Sequence, residues 1–266
     1  MNIKKPEDME QYIEWLYTEH NLEISKRTET YYNSVTKEIK SQFDKSDFWI
    51  QLTENMREYD AEYLTEHGYD LLMPAHPHQP ELLVKPYDSF LHKTHRKNVL
   101  ENKNFPNEPE SGWLLQENWF SEINDIIRTL IGVKYLDGVE FMITKVSSLC
   151  NELGERLEVQ YEAKEEGYYA VHLYVTHNFE IPAISWDTER VDIAIEIQLT
   201  TQLQEIIHTL IRKYYEKRRK FIVKKDFKWQ WDYKGEEFKP NYLGHILHYV
   251  EGMIMEVRDK QGKEIS

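Results

Sequence analysis

Residues 191 to 199, VDIAIEIQL, constrain the fold more than any other stretch of the chain. Successive side chains of an extended strand point to opposite faces. Val191, Ile193, Ile195, Ile197 and Leu199 therefore share one face, and Asp192, Ala194, Glu196 and Gln198 share the other. A period of two is a strand pattern, and the β-branched run reinforces it. The apolar face has to pack against helices. A strand this apolar belongs in the middle of a sheet, so its polar face lines a cleft rather than open water. Two carboxylates and an amide on such a face suit a Mg²⁺–nucleotide site, because Mg²⁺ takes hard oxygen ligands and bridges phosphates. An ordinary polar sheet face remains the alternative on alternation alone.

A second strand is predicted over residues 168 to 177. It puts Tyr168, Ala170, His172, Tyr174 and Thr176 on one face and Tyr169, Val171, Leu173 and Val175 on the other. Gly167 allows a tight turn just ahead of it. An aromatic ring beside a histidine can stack a base while the imidazole touches phosphate or ribose; a purely structural pair is the alternative. Further strand signals lie at about 130 to 136 and 157 to 163, and VSSLCNEL (146 to 153) reads as a helix crossing back over the sheet.

The rest of the chain reads mostly as helix. Met9, Tyr12, Ile13 and Leu16, then Phe48, Trp49, Leu52, Met56, Tyr59 and Tyr63, recur at spacings of three and four within residues 6 to 66. Pro6 suits a first helical turn and Gly68 a stop. MPAHPHQP (73 to 80) is a loop and the clearest boundary. Helices are expected near 87 to 101, over 202 to 222 with Leu203, Ile206, Ile207, Leu210 and Tyr214 on one face, and over 241 to 258, with a loop at 102 to 112. The expected fold is α/β (α+β), a mixed central sheet of about five strands flanked by helices. The order along the chain is a helical N-terminal region (1 to 80), a central domain (81 to 215) and a helical C-terminal extension (216 to 266).

A net charge of −14 opposes unspecific binding to polyanions. One local exception is the run Arg212, Lys213, Lys217, Arg218, Arg219, Lys220, Lys224 and Lys225, either the solvated face of a helix or a patch for phosphates or RNA. Cys150 is the only cysteine, which excludes an internal disulfide and suggests a reducing compartment. The first residues lack the apolar core of a signal peptide, and no stretch approaches the ~18 apolar residues of a membrane span. A cytoplasmic protein with no membrane association is the expectation.

The motifs together resemble a family. GYYAVH (167 to 172) followed by EIQLTT (196 to 201) resembles the paired signatures of RelA/SpoT synthetase domains, Gly-Tyr-x-Ser/Ala-x-His and Glu-x-Gln-x-Arg-Thr. KPYDSFLHKTHRK (85 to 97) resembles that family's ATP-binding segment, Arg-x-Lys-x-x-x-Ser-x-x-x-Lys. TLIGVKYL (129 to 136) is similar to its first strand, Asp-x-x-Gly-x-Arg, and NYLGHILHYVEGM resembles the tail of stand-alone members. The resemblance implies a nucleotidyltransferase-like fold and transfer of pyrophosphate from ATP to the 3′-hydroxyl of GTP or GDP, giving AMP and (p)ppGpp; toxic relatives modify the 3′ end of tRNA. By position, Lys85, Ser89, Lys93, Arg96 and Lys134 would bind ATP. Tyr168 would stack on the acceptor base, with His172 ordering that pocket. Glu196 would hold Mg²⁺ or take the hydroxyl proton, Gln198 would orient the acceptor, and Asp192 would be a second metal ligand.

Several positions depart from the family pattern. Thr129 stands where the metal-binding Asp is expected, Leu83 stands for the ATP-segment Arg, and Lys134 replaces an Arg; Tyr169 and Thr200 also differ. Asp125, Asp137 or Asp192 are candidates for the missing oxygen. Asp192 shares a strand face with Glu196, but four residues at ~3.3 Å each separate them by roughly 13 Å. No adjacent His-Asp pair is present, so alarmone hydrolysis is not expected. His245, His248 and Glu251, spaced by three, and the loop pair His76 and His78 suit structural or partner contacts, with metal ligation as the alternative. Three functional readings follow: an ATP- and GTP/GDP-using pyrophosphokinase, a tRNA-modifying toxin using Arg212 to Lys225, and a catalytically degenerate nucleotide-binding module. The terminal helices could mediate homo-oligomerisation or contact a protein partner.

Overall fold

A computed structural model describes residues 4–73, 80–183, 187–219 and 229–265. His76, His78, Lys220, Lys224 and Lys225 lie outside the described residues, as do the side chains of Arg212, Lys213, Lys217, Arg218 and Arg219.

Three helices open the chain: α1 Met9–His20, α2 Lys26–Phe43 and α3 Asp47–His67. Asp8 caps α1 by accepting from the Gln11 N–H at 2.9 Å, which satisfies one of the unpaired donors of the first turn. Pro6 precedes this cap rather than sitting in the helix. Ser25 and Thr28 form a capping box at the start of α2, with the Ser25 N–H donating to Thr28 Oγ1 at 2.8 Å. The remaining helices are α4 Tyr87–His95, α5 Trp119–Glu122, α6 Leu136–Leu153, α7 Gln202–Arg219 and α8 Phe238–Ile265.

Five strands, β1 Leu83–Val84, β2 Ile127–Val133, β3 Arg156–Ala163, β4 Tyr169–Pro182 and β5 Thr188–Thr201, form one mixed sheet in the order β1-β2-β5-β4-β3. The alternating strand is therefore central, as its apolar face requires. Ile193, Ile195, Ile197 and Leu199 are all fully buried. The structure corrects two details. β2 begins at Ile127 rather than near residue 130, because Ile127 pairs with Val84 of the short antiparallel strand β1. The helix expected over 87 to 101 changes type at Arg96: residues Arg96–Leu100 form a π-turn, closed by the Glu101 N–H on the Arg96 carbonyl at 2.8 Å.

The chain divides into two compact units. The first combines Met1–Ser46, Leu82–Arg128 and Thr176–Glu196; the second combines Asp47–Glu81, Thr129–Val175 and Ile197–Ser266. In the first, Tyr12, Trp15 and Leu16 of α1 pack with Val99 of the π-turn, and Trp113 and Phe105 close around them. Buried Asn98 bonds the Tyr12 hydroxyl and both the N–H and C=O of Leu114, so its amide is satisfied while it ties the 102–118 loop to α1. In the second, α3 and α6 are joined by Lys145 on Glu62 at 2.6 Å and by the Tyr63 hydroxyl on Asp137 at 2.7 Å. Arg258 of α8 also binds Asp137. No helix among the described residues is long and apolar enough to cross a membrane.

Candidate functional site

The first unit contains a concentrated positive cluster. Lys85 lies in the short lead-in between β1 and α4, and Lys93 lies on α4 itself. Both converge on Asp125, just ahead of β2: Lys85 Nζ at 2.8 Å from Oδ2 and Lys93 Nζ at 2.7 Å from Oδ1. The three side chains are only 10%, 17% and 18% exposed, so the charges are largely withdrawn from water. Tyr32 of α2 fixes the backbone here by donating to the Lys85 carbonyl at 2.7 Å.

The electrostatics of this cluster are those of a site with more positive than negative charge. Burial alone would raise the Asp125 carboxyl, but the ammonium charges of Lys93 and Lys85 outweigh it and hold the group well below the ordinary carboxylate range. Burial lowers the Lys85 ammonium, and Lys93 and Arg128 push it the same way against the attraction of Asp125. Lys97 is lowered by burial first and by Lys93 second. Burial and neighbouring cations thus disfavour the charged forms of Lys85 and Lys97, a cost that an incoming polyanion relieves.

The other predicted ATP ligands of this unit are less enclosed. Ser89 is exposed on α4, and Arg96 pairs with Glu101 at 3.0 Å. Asp125, a candidate for the missing metal oxygen, is instead the counter-charge of the two lysines. On β5, Glu196 is 3% exposed, whereas Asp192 is exposed and accepts from the Asn178 amide at 2.8 Å. No group of three or more His, Cys, Asp or Glu suited to a metal occurs among the described residues. Of the two predicted metal ligands only Glu196 is buried, so an ion bound there would take its other ligands from phosphate oxygens and water.

The second unit carries an aromatic cluster. Gly167 turns β3 into β4 with φ +76, and the Tyr168 carbonyl accepts from the Lys164 N–H at 2.9 Å. Tyr168 and His172 lie on one face, as parity requires, and the Tyr168 hydroxyl is 3.0 Å from His172 Nε2. The Tyr168 ring stacks on His208 of α7, with centroids 4.2 Å apart and planes 15° apart. His208 is a residue the sequence analysis missed. Its only signal was a position on an amphipathic helix, which says nothing about the ring it meets.

Two further predicted residues sit in this unit. Lys134 pairs with exposed Asp70, which draws the Asp70 carboxyl below its ordinary value. Gln198 is half-buried on β5. Thr129, in place of the expected carboxylate, is 1% exposed, and its hydroxyl has no hydrogen-bond partner among the described residues. Asp137, the remaining candidate for a replacement metal oxygen, is held by Tyr63 and Arg258.

His245 and His248 are structural. His245 bonds the Tyr169 hydroxyl and the Glu165 carbonyl, both at 2.8 Å, and His248 stacks on the Tyr169 ring at 3.8 Å. Buried Glu251 accepts from Thr201 and, at 3.3 Å, from Gln204. Gly167 and Gly244 let the backbones touch: a Cβ on Gly244 would fall 2.3 Å from the Gly167 carbonyl oxygen. α8 therefore clamps the turn that carries Tyr168. A cavity of about 390 Å³ beside α8, lined by Tyr69, Tyr135, Val250, Met253, Ile254, Val257 and Arg258, shares no residue with the predicted site.

This architecture is that of the small alarmone synthetases, the fold the RelA/SpoT resemblance implied. The chain is similar to small alarmone synthetase 1 from Bacillus subtilis, with a TM-score of 0.53 at 16% identity over 89% of this chain and 97% of that one. The same enzyme bound to its product pppGpp also gives 0.53, at 15% identity over the same shares. A Streptococcus mutans protein gives 0.51 at 16% identity over 82% of this chain and 96% of that one. No protein-family model and no curated protein matches the sequence.

Proposed function

We propose that the chain is a nucleotide pyrophosphokinase of the alarmone-synthetase type, transferring pyrophosphate from ATP to the 3′-hydroxyl of GTP or GDP. The observation that carries this reading is the meeting of Lys85 and Lys93 on Asp125 in a largely buried, net-positive cluster of a chain whose net charge is −14. Phosphoryl-group transfer depends mainly on positioning and charge stabilisation, and preformed cations supply both. The fold shared with a synthetase described as bound to its product pppGpp is consistent with it.

In this reading the acceptor 3′-oxygen attacks the β-phosphorus of ATP, and the bond from that phosphorus to the α–β bridging oxygen breaks. AMP leaves with that oxygen, and the hydroxyl proton passes to Glu196. Lys85, Lys93 and Arg96 hold the polyphosphate. Tyr168, backed by His208 and bonded to His172, offers its ring to the acceptor base, and Gln198 orients the sugar. Glu196 would also hold Mg²⁺, whose chemistry when bound is neutralisation of phosphate charge.

ATP labelled on its γ-phosphate, incubated with Mg²⁺ or Mn²⁺ and a panel of GTP, GDP and tRNA, tests this directly. Labelled guanosine product with stoichiometric AMP is expected. Absence of transfer to every acceptor would sink the reading. A second reading, nucleotide binding without turnover, is favoured by Thr129, whose neutral hydroxyl supplies none of a carboxylate's charge; calorimetric binding of ATP without AMP release would select it.

A further inference from the structure

We propose that Arg128 is an additional polyphosphate-binding residue, supplied from β2 in place of the arginine that the RelA/SpoT pattern carries at Leu83. It rests on the reading of Lys85 and Lys93 as polyphosphate ligands. The register is the first support. Leu83 pairs directly with Arg128 across the antiparallel β1–β2 ladder. Directly opposed residues project from the same face with Cβ atoms ~5 Å apart, so a long side chain at one position covers the space above the other. Leu83 and Lys85 are two residues apart and share that face, which makes Arg128 the diagonal neighbour of Lys85.

Charge is the second support. Arg128 is half-buried, and among the described residues no hydrogen bond or ion pair satisfies its guanidinium. Its charge reaches Lys85, where it adds to the excess positive potential. A cation partly withdrawn from water without a counter-charge is costly. An anion arriving from outside removes that cost, and the planar fork of arginine suits phosphate oxygens. Leu83 meanwhile is 48% exposed and contributes no charge.

Calorimetric titration with inorganic tripolyphosphate tests this without requiring turnover. Arg128→Ala should weaken binding at least tenfold, Arg128→Lys should weaken it less, and Lys37→Ala, which removes an exposed charge elsewhere, should leave it unchanged. The double variant Leu83→Arg with Arg128→Ala should recover most of the loss, because it returns the guanidinium to the same face from the opposite strand. Unchanged melting temperatures keep these comparisons free of folding effects. If Arg128→Ala binds like the wild type while Lys93→Met is weakened, the inference is overturned and the lysine reading survives. If Lys93→Met binds normally while Arg128→Ala is weakened, the lysine reading fails instead. Wild-type protein that does not bind tripolyphosphate overturns both.

Discussion

The cluster at Asp125 and the cluster at Tyr168 achieve order by opposite means. The first brings two ammonium groups onto one carboxylate and leaves further cations around it. The second is built from aromatic and imidazole rings, joined by a stack at 4.2 Å and a hydrogen bond at 3.0 Å. Coulombic forces are strong, long-ranged and indifferent to the shape of the anion. Stacking is weaker and selects a flat apolar surface. The first cluster is therefore suited to holding a polyphosphate, and the second to choosing a base. Each way of weakening one cluster should leave a different kinetic signature.

The largest effect is expected at Glu196. Glu196→Gln keeps the shape of a 3%-exposed side chain and removes its charge and basicity. If Glu196 accepts the proton, AMP release should fall by ~10²–10⁴-fold, with nucleotide binding little changed. A rate within threefold of wild type would remove Glu196 from the chemistry. Next comes Asp125→Asn, which leaves Lys85 and Lys93 buried without their carboxylate. Removing one partner of a buried pair costs about 3–5 kcal/mol, readable by urea unfolding. The same group sets an acid limit. Its folded-state carboxyl is depressed below the unfolded value of about 3.9, so the unfolded chain takes up the proton first. Its contribution is complete above that value and is lost as pH falls toward the folded one. Asp125→Asn should flatten this part of the stability-versus-pH curve; an unchanged curve would show that the Lys–Asp–Lys charges do not hold the cluster together.

The two clusters also differed in how much of them could be read from sequence. Lys85 and Lys93 are local to one helix and its lead-in, so a motif captured both. Asp125 lies more than thirty residues on, and only the pairing of β1 with β2 brings it to them. A two-residue strand has too little periodicity to announce itself, which also hid the alignment of Leu83 with Arg128. Around Tyr168, strand parity gave the partnership with His172 directly. His208 could not be inferred, because nothing local to α7 specifies which ring it stacks on. The central strand was legible because five alternating apolar residues leave no other arrangement, whereas the π-turn at Arg96 depends on the tertiary anchoring of Asn98.

Tyr168→Ala sharpens the contrast from the other side. Stacking on a base is worth about 1–3 kcal/mol, so the KM for the guanosine acceptor should rise ~5–150-fold while the KM for ATP stays within twofold. A change in the ATP term alone would assign Tyr168 to the wrong substrate. His208→Phe preserves the ring behind it and should behave close to wild type, whereas His208→Ala should reproduce part of the Tyr168→Ala effect.

The smallest expected effect distinguishes a lost metal ligand from a residue that merely fills space. Thr129 is 1% exposed with an unsatisfied hydroxyl among the described residues. Valine has nearly the same shape and lacks that oxygen, so Thr129→Val should raise stability by about 1 kcal/mol through relief of the buried polar group. If the hydroxyl instead serves the reaction, activity will fall even as stability rises. Thr129→Asp gives the complementary result. A carboxylate introduced at so buried a position is stabilised only if a cation arrives with it, so this variant should melt lower alone and gain more from Mg²⁺ and ATP together than wild type does. No gain would mean that the site has lost more than one oxygen, and that polyphosphate binding by the lysine cluster proceeds without a protein-supplied second carboxylate.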